Sequence, residues 1–185
     1  MGHGGDVIQE LTTDHREVEE FFAQIGKEPP GAPERKRVLD QLTIELVRHA
    51  IAEEEYLYPA VREHVENGDA IADKEIDDHS RVERLLKDLE GMEASDPEFN
   101  RAVVELETEV SEHVRDEETS LFVRLRQSCP QSALDELGDK IRTAKKLAPT
   151  RPHPSAPDTP PANKLLGPGV GLVDRVRDFV TGRGK

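Results

Sequence analysis

A repeated histidine pattern constrains this chain more than any other feature of its sequence. In each half, one histidine is followed 34 positions later (15 to 49) by a second histidine that begins a His-x-x-x-Glu segment. The second copy of the whole pattern follows the first by 64 positions (15 to 79). The pattern residues are His15, His49 and Glu53 in the first copy, and His79, His113 and Glu117 in the second.

The apolar residues around these positions recur every three or four residues, which is the spacing of one helical face. This periodicity predicts four long helices, and Pro59 predicts a bend in the second of them, one turn beyond Glu53. Short connections between the helices predict an all-α, up-down-up-down antiparallel four-helix bundle. The predicted helices run from Asp6 to about Gly26, onward from Pro33, from Asp69 or Ala70 to Gly91, and onward from the Ser95-x-x-Glu98 start signal, with a short extra helix from Gln131 to Leu147.

The composition agrees with such a bundle and excludes several classes of protein. Of the 185 residues, 35% are apolar and 35% are charged, which suits amphipathic helices with solvated outer faces. A net charge of −14 argues against a nucleic-acid-binding protein, because phosphate contact needs a basic surface. We expect neither a signal peptide nor a membrane span. The single Cys129 cannot form an internal disulfide, so a cytoplasmic location is expected.

Composition also divides the chain into three regions. Residues 1–148 are expected to form the bundle, 149–163 a Pro-rich and disordered linker, and 164–185 a basic amphipathic tail. The tail has five cationic and two anionic residues, so it carries +3 and the rest of the chain −17. Its apolar stripe could dock on the bundle, bind a partner helix or touch an anionic membrane; the first two are favoured, because the stripe is short and the body is negative. The stripe consists of Leu172, Val173, Val176, Phe179 and Val180.

All six pattern residues fall on the predicted inward faces, and this placement points to metal. A buried carboxylate is strongly disfavoured unless it is paired or binds a cation, and the inward stripes offer no Lys or Arg. His49 with Glu53, and His113 with Glu117, are one helical turn apart and can each reach one centre. Four imidazoles and two carboxylates exceed the needs of one tetrahedral zinc, so two metals with bridging carboxylates are favoured. Mixed N and O ligands suit iron or manganese, with zinc as an alternative.

The ligand order resembles a known family. Over residues 6–127 the chain is similar to the bacterial hemerythrin-like, or HHE cation-binding, domains. The similarity lies in the order His…His-x-x-x-Glu…His…His-x-x-x-Glu and in the segment Glu53-Glu54-Glu55-Tyr56-Leu57-Tyr58-Pro59 that follows the second histidine of this order. The start of the chain and its tail resemble actinobacterial members. The resemblance implies a non-haem centre of two iron ions held by the six pattern residues, and chemistry with dioxygen, peroxide or nitric oxide. Oxygen-carrying hemerythrins of marine invertebrates have a further histidine where this chain has Glu83, so reversible oxygen carriage is disfavoured.

Other residues near the pattern have open roles. Tyr56 shares the helical face of His49 and Glu53, and it could give a proton or electron, ligate iron, or simply pack in the core. Glu83 and its repeat partner Glu19 could approach the site, although a solvated position is favoured for both. The repeat register favours Glu117 over the adjacent Glu118 as the ligand. His3, His64 and His153 lie outside the repeat and are expected at the surface or in the linker.

The expected function is that of a non-haem di-iron protein which acts on or senses peroxide, nitric oxide or dioxygen. Catalase- or peroxidase-like activity is one form this could take, and a non-catalytic oxygen or iron sensor or storage module is the alternative. A metal-free structural bundle is disfavoured. The expected ligand is a small diatomic molecule or peroxide, and the tail is expected to bind a protein partner or the bundle itself. No nucleic acid is expected, and a membrane is disfavoured.

Overall fold

The computed structural model describes residues 4–156 and 162–184, and only the backbone of residues 162–168. His3 and the linker residues 157–161 therefore lie outside the described residues. Within them the chain forms helices and no strand. The α-helices are α1 (Val7–Lys27), α2 (Pro33–Ala52), α3 (Tyr58–His64), α4 (Gly68–Glu90), α5 (Phe99–Asp116), α6 (Phe122–Ser128), α7 (Gln131–Leu147) and α8 (Ala162–Thr181).

These helices form the antiparallel bundle that the sequence predicted. Its four long rods are α1, α2 continued by α3, α4, and α5 continued by α6. Helix α1 packs on α2, α3 on α4, and α4 on α5, while α7 lies against α1 and α2. Asp6 caps α1 by accepting a hydrogen bond from the Gln9 backbone N–H (2.9 Å), and its own backbone N–H donates to Gln9 Oε1 (3.3 Å). None of the described helices is long and apolar enough to cross a bilayer.

The predicted start of the fourth helix at Ser95 was wrong. Helix α5 begins at Phe99 without a side-chain cap, and the Ser95 region forms a turn. In that turn, the Asp96 side chain accepts a hydrogen bond from the backbone N–H of Glu93 (2.7 Å). The reason is Pro97: a residue before proline is disfavoured in the helical region, so Asp96 is a poor first residue for a helix capped by Ser95.

Each of the two longest rods contains a π-helical turn instead of a simple proline bend. The turns span Glu53–Leu57 and Glu117–Leu121, which are matching positions of the 64-residue repeat. Pro59 follows the first turn, but Val123 stands at the matching position in the second half. The π geometry therefore does not require proline, and its recurrence beside the paired carboxylates fits the tendency of π-bulges to mark functional sites.

The core consists of two apolar clusters, one on each side of the histidine and glutamate positions. One cluster contains Leu11, Leu57 and Leu121, and the other contains Val18, Leu46 and Val110. Since His15 follows Leu11 and precedes Val18 on α1, the polar residues form a layer between the two clusters. Apolar packing on both sides separates this layer from the two ends of the bundle and fixes the helices that carry it.

The described part of the expected linker, residues 149–156, lies against the bundle, and the described part of the tail meets it through its polar face. Thr150 and Arg151 are buried, and residues 149–156 run along the bundle. Among the side chains of α8 that the structure describes, those of Asp174 and Asp178 are buried, whereas Phe179 and the rest of the apolar stripe are more than half exposed. The orientation follows from hydrogen bonding, because Asp174 and Asp178 each accept a hydrogen bond from Thr150, and Asp174 also lies beside His153.

Candidate metal centre

Six buried side chains from all four rods meet in the polar layer. The structure brings together every histidine and glutamate of the repeated pattern, and each is at most 7% exposed. His15 comes from α1, His49 from α2, His79 from α4 and His113 from α5, while Glu53 and Glu117 are the first residues of the two π turns.

The ligand atoms fall into groups that share carboxylates. One group contains an atom each from His15, His49, Glu53 and Glu117, all within 4.8 Å of one another, and a second contains Glu53, His79 and His113. Glu53 turns Oε1 toward His49 Nε2 (3.2 Å) and Oε2 toward His79 Nε2 (3.3 Å). A carboxylate placed in this way can bridge two metal ions.

The second glutamate also lies between two histidines. Oε2 of Glu117 is 3.4 Å from His15 Nε2 and 3.6 Å from His113 Nε2. Three buried atoms that lie between the histidines and glutamates of the pattern have no hydrogen-bond partner, namely Nε2 of His15, Oε1 of Glu53 and Oε2 of Glu117, and Nδ1 of His113 on the outer side has none either. Buried polar atoms are seldom left without a partner, because losing their hydration is costly. Coordination of cations would satisfy all three atoms, so the donor set fits bound metal.

The far side of each imidazole faces another carboxylate, and two of these pairs obey the repeat. His15 Nδ1 is 2.8 Å from Glu118 Oε1, and His79 Nδ1 is 3.0 Å from Glu54 Oε1. Glu118 and Glu54 are themselves 64 positions apart, so each half supplies the carboxylate for the other half's histidine. Carboxylates in this position orient metal-binding imidazoles and raise their basicity.

The other two outer carboxylates break the symmetry. His49 Nδ1 is 3.0 Å from Asp14 Oδ2, but Asp78, the repeat partner of Asp14, is 3.9 Å from His113 Nδ1. Glu75 comes nearer, with Oε2 2.9 Å from that nitrogen, although the two atoms are not aligned as a hydrogen bond. Glu75 could also join His113 and Glu117 in holding a metal ion.

The sequence analysis missed this outer set of acids. Asp14, Asp78, Glu54 and Glu118 follow the same 64-residue offset as the ligands, so extending the repeat to neighbouring acids would have found them. Glu75 has Leu11 as its repeat partner and gave no such signal.

The carboxylates keep the histidines protonated when no metal is bound. Burial by itself lowers the pKa of His49, but the charge of Glu53 and the hydrogen bond to Asp14 raise it to about 9. The pKa of His113 is also raised to about 9, against the effect of burial, chiefly by Glu117. Burial likewise opposes the shift at Glu53, whose pKa His49 and His79 hold well below its usual value. Metal ions entering the layer would therefore displace protons.

The tyrosine hydroxyl inside the layer belongs to Tyr58. Its oxygen lies 3.0 Å from His79 Nε2, 3.3 Å from Glu117 Oε1 and 3.4 Å from Glu53 Oε2. Burial and the surrounding carboxylates keep the pKa of this phenol well above its usual value, so the hydroxyl retains its proton. Tyr56, which the sequence favoured, is partly buried and packs against the apolar cluster that contains Leu57.

The remaining candidates are placed around the layer. Glu19 is 56% exposed and pairs with Arg16, as expected of a solvated helix residue. Glu83 lines a cavity beside the layer and accepts a hydrogen bond from the backbone N–H of His153 (2.7 Å). His64 is 41% exposed, whereas His153 is anchored through Nε2 to Asp174 (2.8 Å). The linker histidine is thus part of a docked structure.

Comparison with known proteins identifies relatives of the bundle. Residues 6–125 match the family model of the hemerythrin HHE cation-binding domain. An uncharacterized hemerythrin-like protein of Schizosaccharomyces pombe is 28% identical over 168 residues, which cover 90% of this chain and 82% of that protein. A DNA nickase of Nostoc is 32% identical over 141 residues, or 76% of this chain, but the match spans only 38% of the nickase.

A solved structure shows the same fold. The hemerythrin HHE cation-binding domain-containing protein of Mycobacterium kansasii superposes with a TM-score of 0.67 at 22% sequence identity. The superposition covers 76% of this chain and 85% of that protein.

Proposed function

Because the chain belongs to the hemerythrin HHE cation-binding domain family, we propose that its polar layer binds two iron ions and acts on or senses peroxide, nitric oxide or dioxygen. The ligands in this proposal are His15, His49, Glu53, His79, His113 and Glu117. The observation that carries it is Glu53, whose two oxygens face histidines of different ligand groups. Iron is preferred to manganese or zinc because the family resemblance implies it, although the mixed N and O donors themselves would also suit manganese.

Bound iron would supply one- and two-electron exchange with such small molecules. The chain's own residues hold the site ready for it: Asp14, Glu54 and Glu118 fix three of the imidazoles, Glu75 faces the fourth, and the apolar clusters keep bulk water away. Tyr58 can donate its proton toward the space between Glu53 and Glu117, because its hydroxyl is already within 3.4 Å of both. In this proposal Tyr58 takes the role that the sequence suggested for Tyr56.

The alternative is a non-catalytic oxygen or iron sensor or store. To separate the two, the full-length protein is purified aerobically and its metal content and visible spectrum are measured before and after peroxide is added. Two irons per chain with rapid loss of peroxide support an enzyme, whereas a stable, reversible oxygen adduct supports a carrier or sensor. A protein that holds no metal after growth in iron-rich medium, and that cannot be loaded, contradicts both.

The ligand set is tested by His49→Ala and His113→Ala, with His64→Ala as the control. The first two variants should lose metal and metal-dependent stability together, because each removes one imidazole from the layer. His64 is partly exposed outside the layer, so its replacement should leave the metal content unchanged.

The nicking activity named for the Nostoc relative is not proposed for this chain. The two proteins share a segment that makes up only 38% of the nickase. The charge of −14 also opposes contact with nucleic-acid phosphates. The resemblance of the two ends of the chain to actinobacterial members, and a cytoplasmic location, stay predictions.

A further inference from the structure

A cavity of about 100 Å³ connects the polar layer to the C-terminal segment. Its inner end is lined by the four histidines of the layer, and its walls are mainly apolar, with Leu46, Val47, Val82 and Leu86 among them. Its outer end is bounded by residues outside the family match, which ends at residue 125. These outer residues are Pro149, Arg151, His153, Pro154, Ala156 and Val170.

One buried carboxylate holds this outer boundary together. Asp174 Oδ2 accepts hydrogen bonds from the backbone N–H groups of Thr150 (3.3 Å) and Arg151 (3.2 Å), and it lies 2.8 Å from His153 Nε2. Asp178 adds a bond from the Thr150 hydroxyl (2.6 Å). Residues 149–156 and α8 therefore form one unit, here called the cover.

The cover is attached to the bundle by polar contacts. The backbone N–H of His153 donates to Glu83, and the Arg151 guanidinium donates to Glu90 (2.5 Å), both on α4. Just beyond the end of α8, the Arg183 side chain donates both to the Thr150 carbonyl of the cover (2.9 Å) and to Asp40 of α2 (3.3 Å). Neither apolar cluster includes a described residue beyond Ala144, and the stripe on α8 faces outward. The cover can therefore leave its place without opening the core.

We propose that the cover is a detachable lid over the approach to the polar layer, and that the closed cavity admits small neutral molecules and excludes ions. The charged groups that line the cavity are already engaged: Glu83 by the His153 backbone N–H, Arg151 by Glu90, and Glu54 by His79. An entering ion would therefore lose hydration among mainly apolar walls and would have to compete with these contacts, whereas a neutral molecule would not. The role of this approach in delivering a substrate rests on the proposed function. The barrier itself is a property of the chain and can be measured without any reaction at the metal.

The test uses thiol accessibility in the full-length protein. Val47 lines the cavity and is 5% exposed, so Val47→Cys in a Cys129→Ala background places one thiol behind the cover. Its alkylation rates with neutral iodoacetamide and anionic iodoacetate are each divided by the rates in unfolded protein. With the cover in place, iodoacetamide should react faster than iodoacetate.

Two glycines of α8 give a matched pair of variants. A methyl group at Gly171 would overlap with the carbonyl oxygens of Leu147 and Ala148, whereas one at Gly169 would meet no atom within 4 Å. Both substitutions favour the helix equally. Gly171→Ala should speed alkylation by at least about tenfold and abolish the preference for the neutral reagent, because overpacking raises the open population. Gly169→Ala should change neither quantity.

Asp174→Asn is a second variant that should detach the cover. Its control is Asp69→Asn, because Asp69 is 84% exposed and lies outside the cover. Amide hydrogen exchange of residues 150–156 reports whether the cover has left. If amide exchange of residues 150–156 is faster in a variant but the thiol is alkylated at an unchanged rate, the proposal is overturned. Unchanged amide exchange in both Gly171→Ala and Asp174→Asn would also overturn it, since the contacts of Gly171 and Asp174 would then not hold the cover in place. If these results are obtained but the protein binds no metal, the lid proposal stands and only the proposed function is refuted.

Discussion

At the scale of single residues, the phenol of Tyr58 is the group that sets this layer apart from a plain cage of ligands. We predict that Tyr58→Phe keeps the metal content but slows peroxide decay by about 10²-fold or more, the usual size of a lost general acid. Tyr56→Phe is the control, because its ring packs against the apolar cluster. Metal analysis and peroxide loss would check both variants, and equal rates for the two would rule out a proton-donating role for Tyr58.

A second prediction at this scale concerns the effect of the outer carboxylates on metal affinity. Glu118→Gln removes the charge that faces His15 Nδ1 but leaves all six proposed ligands, so metal affinity should fall by about 10–100-fold. Glu19→Gln is a matched control, because Glu19 and Glu118 both pair with Arg16 and Glu19 is largely exposed. Competition with a chromogenic chelator would measure the affinities. A similar loss of metal affinity in both variants would show that the affinity depends on the ion pair with Arg16 and not on the contact between Glu118 and His15.

The repeat in the sequence predicted which six side chains would meet in the polar layer, because matched spacing can be recognised without any knowledge of the fold. It did not identify the tyrosine whose hydroxyl lies in the layer, since the prediction for Tyr56 assumed an α-helix of constant pitch. In a π turn, residues five positions apart share a face, which brings Tyr58 rather than Tyr56 beside Glu53. Glu75 escaped for a different reason: it reaches His113 from another helix without any repeated counterpart.

At the scale of helices, the apolar periodicity predicted the rods well, because long amphipathic stripes outweigh local signals. Local signals failed where they competed with one another, as at Ser95, where the proline at position 97 opposed the cap. The apolar stripe on α8 also did not predict which face of that helix would be buried. Its two aspartates find several donors in residues 150–153, and this polar docking turns the apolar face outward.

Helix α7 offers a test of packing at this scale. A Cβ at Gly138 would lie 2.7 Å from the carbonyl oxygen of Gly5 and 3.0 Å from backbone atoms of Asp6 and Val7. Gly138→Ala should therefore destabilise the protein by about 1–3 kcal/mol despite its better helix propensity. Gly26→Ala, in the last turn of α1 with no atom within 4 Å, should be neutral or stabilising. Urea unfolding of both would decide, and a stable Gly138→Ala would mean that α7 approaches α1 less closely.

At the scale of the whole molecule, charge and metal act on the same balance. The chain carries −14 overall, so its acidic surface favours the accumulation of cations near a layer that already holds carboxylates. Without metal, protons on the histidines supply the compensating charge inside the bundle. Stability should therefore depend on pH in a way that metal changes.

The sign of this dependence follows from the histidine pKa values. Those of His49 and His113 rise from 6.5 in the unfolded chain to about 9 in the folded, metal-free protein. Their stabilising contribution is complete below pH 6.5 and is lost as pH rises through about 9. The lowered pKa of Glu53 also stabilises the folded protein, but this contribution is constant between pH 6.5 and 9, because the whole pH range lies above the pKa of a glutamate in the unfolded chain.

We therefore predict that metal-free protein loses on the order of 1–3 kcal/mol of unfolding free energy between pH 6.5 and 9.5. Urea unfolding in the presence of a chelator would measure the loss. The metal-loaded protein is the control: its imidazoles are already deprotonated by coordination, so it should not show the same decline, and its metal affinity should increase with pH as fewer protons are displaced. A metal-free protein equally stable at both pH values would show that the layer does not hold its histidines protonated, and the electrostatic role of the carboxylates would have to be reassigned.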